Sequence, residues 1–389
     1  MTKLNYSIKY SYFLIFTICV NLFLTQLMSL SPIYFAFVAA LALLFLCNSF
    51  DPNMRLFIFD KDDYPIIGVM LVLCSNIILT TVVNNGALRT FISIIFTDFC
   101  FLFSFNINAV PKETIRKSFY ILKYITLALF VIEVIYRFQN SEAKHSFFYF
   151  YDYKHNSIMF PDTNATAVCI EFFLCFLFYL KERRIIKIYF IEILITIVLL
   201  ILAFSRAAGF GVFCLLTCWY FIKCRIPLIK ILMIIFAISI GIYILIYFFS
   251  DASFLTKIDL FVQTVDYINK IDFFHFFIGN GIDSCMHFLS RYGHTFVTLY
   301  IIELGTLSLL VLFVLFLIAV LKTKYALFMV IPFVTTGLSY MPYVIPFFFL
   351  YLGFIYNIEC HRNDLFYGYE IRRRKRHGKM LRLCFAYRR

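Results

Sequence analysis

Residues 64–83, YPIIGVMLVLCSNIILTTVV, run for twenty positions without a charge, and runs of this kind recur along almost the whole chain. A helix needs about 20 apolar residues to cross the hydrocarbon core of a bilayer, where every backbone polar group must be paired internally. Composition agrees, since 62% of the 389 residues are hydrophobic, 15% are charged and the mean hydropathy is +0.87. The chain is therefore read as an all-α polytopic membrane protein of about 12 transmembrane helices.

Spans are expected at 10–30, 31–48, 64–83, 87–108, 118–138, 163–181, 185–204, 206–223, 227–249 and 294–321. Segment 325–357 leaves the inner side and returns, either as two short helices or as a re-entrant pair, because Pro332, Pro342 and Pro346 interrupt it. The start, MTKLNYSIKYSYFLIFTICVNLFL, has a positive end but no small-residue cleavage site, so a retained first helix is expected. Residues 1–357 then form one transmembrane domain with long outer loops at 139–162 and 250–293, and 358–389 form a basic cytoplasmic tail.

With the N-terminus in the cytoplasm, inner segments and the tail carry 26 Lys and Arg residues, whereas outer segments carry 8. That asymmetry orients the chain, with both termini cytoplasmic. The net charge of +13 follows, because ten of the basic residues fall in the last 28 positions. A basic tail against anionic membrane lipids accounts for it, and nucleic acid is not expected as a partner. The twelve cysteines show no metal spacing, and only Cys285 falls in an outer segment, so free thiols are expected.

Within the late loop, Phe254, Ile258, Phe261, Val265 and Ile268 share one helical face, which predicts an amphipathic helix on the outer membrane surface. Three outer arginines stand in unusual places. Arg89 follows VVNNGAL, Arg206 lies in AFSRAAGFG between two nearly fused spans, and Arg291 precedes His294 by three residues. Each alone can snorkel to headgroups. Together, on a face poor in positive charge, they suggest a bound phosphate or pyrophosphate, which guanidinium groups match bidentately.

His294 reads either as an interfacial polar residue or as a general base or donor working near neutral pH. On a continuous helix Gly305 returns to the face of His294, while Glu303 points the other way and is expected to pair with another helix. In FPDTNATA, Asp162 is an N-cap and Asn164 adds a polar group able to hydrogen-bond a sugar. FDKDD (59–63) resembles an acidic metal–nucleotide-sugar motif but is read as a solvated turn. The first outer loop, around Ser31 and Pro32, has no carboxylate, which argues against a divalent metal held there, and no cofactor or metal is expected.

The order Gly279-x-Gly281, Arg291, Gly293-His294 and then Glu303-x-Gly305 resembles the O-antigen polymerase/ligase superfamily. FSRAAGFG is similar to that family's Ser-Arg-small-small element, and FPDTNATA to its Phe-x-Asp-x-Asn element. Thr295, Ser308 and Thr163 depart from its pattern. The resemblance implies a GT-C-like, metal-independent glycosyltransferase of the bacterial inner membrane that works on undecaprenyl-pyrophosphate-linked glycans at the periplasmic face. A chain-length regulator and a flippase are the implied partners. His294, Arg291 and Arg206 would be catalytic, with Arg89, Asp162, Asn164, Glu303, Gly279 and Gly281 around the substrates. A ligase acting on lipid A–core is the nearest alternative. A lipid-linked oligosaccharide flippase is another, although no internal repeat marks one.

Overall fold

The computed structural model describes residues 59–84, 88–109, 111–141, 153, 157–158, 163–235, 239, 252–291, 293, 295–340, 346–362 and 365. Among these the protein is all-helical. The expected spans 10–30 and 31–48, most of loop 139–162 and nearly all of the tail lie outside the described residues.

In chain order the helices are α1 (Tyr64–Asn84), α2 (Leu88–Phe103), α3 (Lys112–Gln139), α4 (Thr163–Glu182), α5 (Phe190–Leu202) and α6 (Arg206–Lys223). They continue with α7 (Ala252–Lys270), α8 (Phe273–Ile278), α9 (Cys285–Phe288), α10 (Phe296–Leu299), α11 (Gly305–Lys322), α12 (Leu327–Gly337) and α13 (Pro346–His361). Among the described residues, four helical stretches are long and apolar enough to cross a membrane: Lys61–Asn84, Lys112–Gln139, Thr163–Glu182 and Phe296–Lys322. The segment after 325 carries two short helices, α12 and α13, with Pro332 inside the first and Pro346 opening the second, and residues 341–345 between them lie outside the described residues.

Helix α4 is the hub. It is buried nearly all round, and α5, α6, α12 and α13 pack on it. Much of the phenylalanine content goes into this seam rather than into interfacial anchors. Phe176 stacks on Tyr351 at 4.3 Å, and Phe333 lies 4.4 Å from Phe348. Outward faces are apolar too, with Leu71, Val82, Ile135, Val198, Leu310 and Leu317 exposed. Apolar surface on that scale suits lipid rather than water.

Polar ties join the elements at one end, which we call the inner end after the charge distribution. Asp63 is fully buried and its Oδ1 accepts from Tyr356 Oη at 3.0 Å and lies 2.8 Å from His361 Nε2. The FDKDD segment is therefore no simple solvated turn: Asp60 and Asp62 are exposed, but Asp63 is spent on α13, almost three hundred residues away. Glu359 accepts from Arg183 Nε at 2.7 Å and Tyr179 Oη at 2.9 Å. Lys123, a lysine inside an expected span, is paired with Glu192 of α5 at 2.6 Å.

Helix α7 forms as the spacing predicts, with two faces. Leu260, Thr264 and Tyr267 are buried against the protein, while Ile258, Phe261 and Val265 are exposed. The exposed apolar stripe is the one expected to meet the membrane surface.

Candidate functional site

The Phe296–Lys322 stretch is not a continuous α-helix. After α10 a single π-helical turn spans Tyr300–Leu304, and Gly305, at φ +77°, starts α11 in a conformation that L side chains rarely adopt. The 100° spacing that related Gly305 to His294 assumed a continuous α-helix, which Tyr300–Leu304 interrupts, and His294 itself lies outside the described residues.

The break frees carbonyl groups, and the late loop and α1 take them. Asn280 N–H donates to Ile302 O at 2.9 Å, Gly281 N–H to Glu303 O at 3.1 Å, and Asn76 Nδ2 to Leu304 O at 3.0 Å. Helix α1 returns the favour to the loop: Thr80 Oγ1 donates to Ile278 O at 2.6 Å, and Asn84 Nδ2 to Gly279 O at 3.0 Å. Thr306 Oγ1 adds a bond to Phe276 O at 2.9 Å. Non-helical backbone at such a depth persists only when satisfied in this way.

The glycines make the approach possible. A Cβ on Gly279 (φ +92°) would lie 2.4 Å from Glu303 O, and one on Gly305 would lie 2.1 Å from Phe277 O. Gly281 has φ +97° and faces Asn84. Glu303 is fully buried and accepts the N–H groups of Asp283 at 2.9 Å and Cys285 at 3.1 Å. These bonds tie it to the late loop at Asp283 and to the first residue of another helix, α9. The Gly-x-Gly and Glu-x-Gly elements thus form one knot.

Two departures from the family pattern also find their place. Ser308 Oγ accepts from Asn76 Nδ2 at 2.6 Å, and Thr295 caps α10 by accepting the Thr298 N–H at 3.2 Å. On the loop itself, Asp272 caps α8 and lies 2.5 Å from His275 Nδ1, which holds its carboxyl below the usual range. Burial pushes Tyr267 up to about 12 and raises the Cys285 thiol as well.

A second polar cluster gathers at the outer ends of α3, α4 and α6. Glu133 and Arg137 are both fully buried, 3.3 Å apart, and Arg137 Nη1 donates to Tyr153 O at 3.3 Å. Ser157 Oγ lies 3.0 Å from Thr166 Oγ1. The Arg137 guanidinium lies 5.6 Å from the Phe138 ring, Phe138 packs with Tyr153 and Phe204, and Phe204 adopts φ +53° just before Ser205, the N-cap of α6. Deeper, Thr336 Oγ1 lies 2.7 Å from Glu171 Oε1, and a Cβ on Gly211 would fall 1.8 Å from that oxygen. Gly211 therefore serves close helix packing around a buried carboxyl, whereas Gly209 faces open space.

Of the residues singled out by sequence, Gly279, Gly281 and Glu303 are brought into direct contact. Asn164 and Arg206 stand at the outer ends of α4 and α6, which pack together, with Arg206 exposed. Arg291 is exposed at the end of the late loop, and Arg89 is in the first turn of α2. His294 and Asp162 lie outside the described residues. The Glu133–Arg137 pair was missed, although an i,i+4 pair of opposite charges within an apolar run is a signal in its own right. No group of three or more His, Cys, Asp or Glu side chains able to hold a metal occurs among the described residues. No protein-family model matches this chain, and no curated protein matches it.

Proposed function

We propose that the chain is an integral-membrane glycosyltransferase of the bacterial inner membrane, with about twelve spans and a GT-C-like arrangement, that polymerises undecaprenyl-pyrophosphate-linked repeat units at the periplasmic face. The observation that carries this reading is the knot. Gly279, Gly281, Glu303 and Gly305 were picked out by a spacing pattern, and they meet in one strained, internally satisfied contact. That supports treating the pattern as a built unit rather than a chance match.

The proposed chemistry needs no nucleotide at the outer face, because a glycosyl pyrophosphate arrives activated. The acceptor hydroxyl attacks the anomeric carbon in line, its proton passes to His294, and the carbon–oxygen bond to pyrophosphate breaks with inversion. Charge building on the leaving pyrophosphate is met by Arg206 and Arg291, with Arg89 beside them. Asp162 and Asn164 line the acceptor side, and the knot carried by Glu303 fixes the loop that leads to Arg291 and His294.

The surface-glycan ladder of a strain lacking the gene tests this. Core bearing one repeat unit, with the ladder restored by wild type and not by His294→Ala at equal protein level, is the expected result. Loss of every repeat unit with accumulation of lipid-linked polymer would instead assign the ligase reaction.

A further inference from the structure

At the inner end, away from the knot, the first turns of α3, the end of α4, the loop 183–189 and the end of α6 enclose an open groove of about 1180 Å³. Arg116, Lys181, Arg184, Lys187 and Lys223 line it, against one carboxylate, Glu182. Glu182 is ion-paired with Lys223, and Arg116 meets Glu113 at 3.4 Å, so a positive surplus remains.

A positive-inside bias by itself would put cations at this end. It does not account for two buried donors in the groove wall. Trp219 is only 7% exposed, and its Nε1–H has no acceptor among the described residues. Arg116 Nε is buried in the same state. Buried donors are normally satisfied, and an acceptor reaching these two from the groove would satisfy them. A phosphate oxygen suits both the donors and the surrounding charge.

An exposed apolar face of α6 adjoins the groove. Phe213, Leu216 and Tyr220 fall on one face of α6 and are 37%, 38% and 71% exposed, with Leu216 and Tyr220 forming part of the groove wall. An acyl chain fits such a track, and a free anion has no use for it. We infer that this groove binds the phosphate of an anionic phospholipid from the adjoining leaflet, with an acyl chain along Phe213 and Leu216. The inference is independent of the glycosyltransferase reading.

Trp219 is the chain's single tryptophan, so the groove carries its own fluorescent reporter. The full chain in neutral detergent is titrated with phosphatidylglycerol, with phosphatidylcholine and with inorganic phosphate, following the emission maximum. A saturable shift with phosphatidylglycerol alone is expected, weakened by added salt and about twentyfold weaker in Lys181→Ala/Lys187→Ala. Equal responses to both lipids, or a full affinity in the double variant and at raised salt, would overturn recognition of the phosphate by these cations. Saturation by inorganic phosphate at the same concentration would overturn the lipid and leave a free-anion site. Should the double variant fail to fold, the lipid comparison and the salt dependence on wild type decide the matter.

Discussion

Two stretches that both read from the sequence as membrane spans are put to opposite uses. Thr163–Glu182 is an unbroken helix with 89% of its apolar window buried, whereas Phe296–Lys322 has 39% buried and is interrupted by a π turn and a left-handed glycine. The first holds the bundle together. The second gives up helical bonds at Ile302, Glu303 and Leu304 and hands those carbonyls to a loop and to α1. Regular backbone builds the scaffold, and irregular backbone, satisfied bond by bond, fixes a loop at the surface.

The sharpest way to break this contrast is Gly305→Ala. Its Cβ would meet Phe277 O at 2.1 Å in a left-handed conformation, so a loss of about 3 kcal/mol or more and failure of the glycan ladder are expected. Gly68→Ala is the control, because nothing lies within 4 Å of its Cβ and a mid-helix glycine is replaced. It should be neutral or stabilising by about 0.5–1 kcal/mol in thermal unfolding. Equal behaviour of the two variants would dissolve the contrast.

Gly211→Ala probes the scaffold side. The clash with Glu171 Oε1 at 1.8 Å should cost about 1–3 kcal/mol. Part of that cost should return in Gly211→Ala/Glu171→Ala, a coupling read from a double-mutant thermal series.

Glu303→Gln keeps one acceptor for the loop and loses the charged one, for an expected cost of about 1.5 kcal/mol. Its readout is local: Cys285 is buried, its thiol is raised by burial, and its N–H bonds to Glu303. Maleimide labelling of Cys285, followed by peptide mass, should accelerate in the variant while Cys175 in α4 stays protected. Ser308→Ala is the smallest perturbation, removing one acceptor for Asn76 at about 1 kcal/mol with little effect on the ladder.

The scaffold was largely legible in the sequence. The predicted span 64–83 differs from α1 by one residue, and 163–181 from α4 by one, because both are apolar runs with clear ends. What hydropathy hides is the spending of polar groups. The break at Gly305 depends on φ, and the fates of Glu303 and Asp63 depend on partners at other points of the chain. The glycine pattern did carry the knot's location, since Gly279, Gly281 and Gly305 are all left-handed in the fold. The Glu133–Arg137 pair escaped because Arg137 was counted as one outer charge among several rather than matched to its neighbour one turn away.

The most direct test is to give the purified full chain a synthetic undecaprenyl-pyrophosphate-linked repeat unit in the presence of a metal chelator and to follow glycan length on a gel. The account predicts stepwise elongation of lipid-linked glycan that survives chelation and is lost in Arg206→Ala and His294→Ala. No elongation by a folded wild-type chain, or elongation that requires a divalent metal, would contradict it.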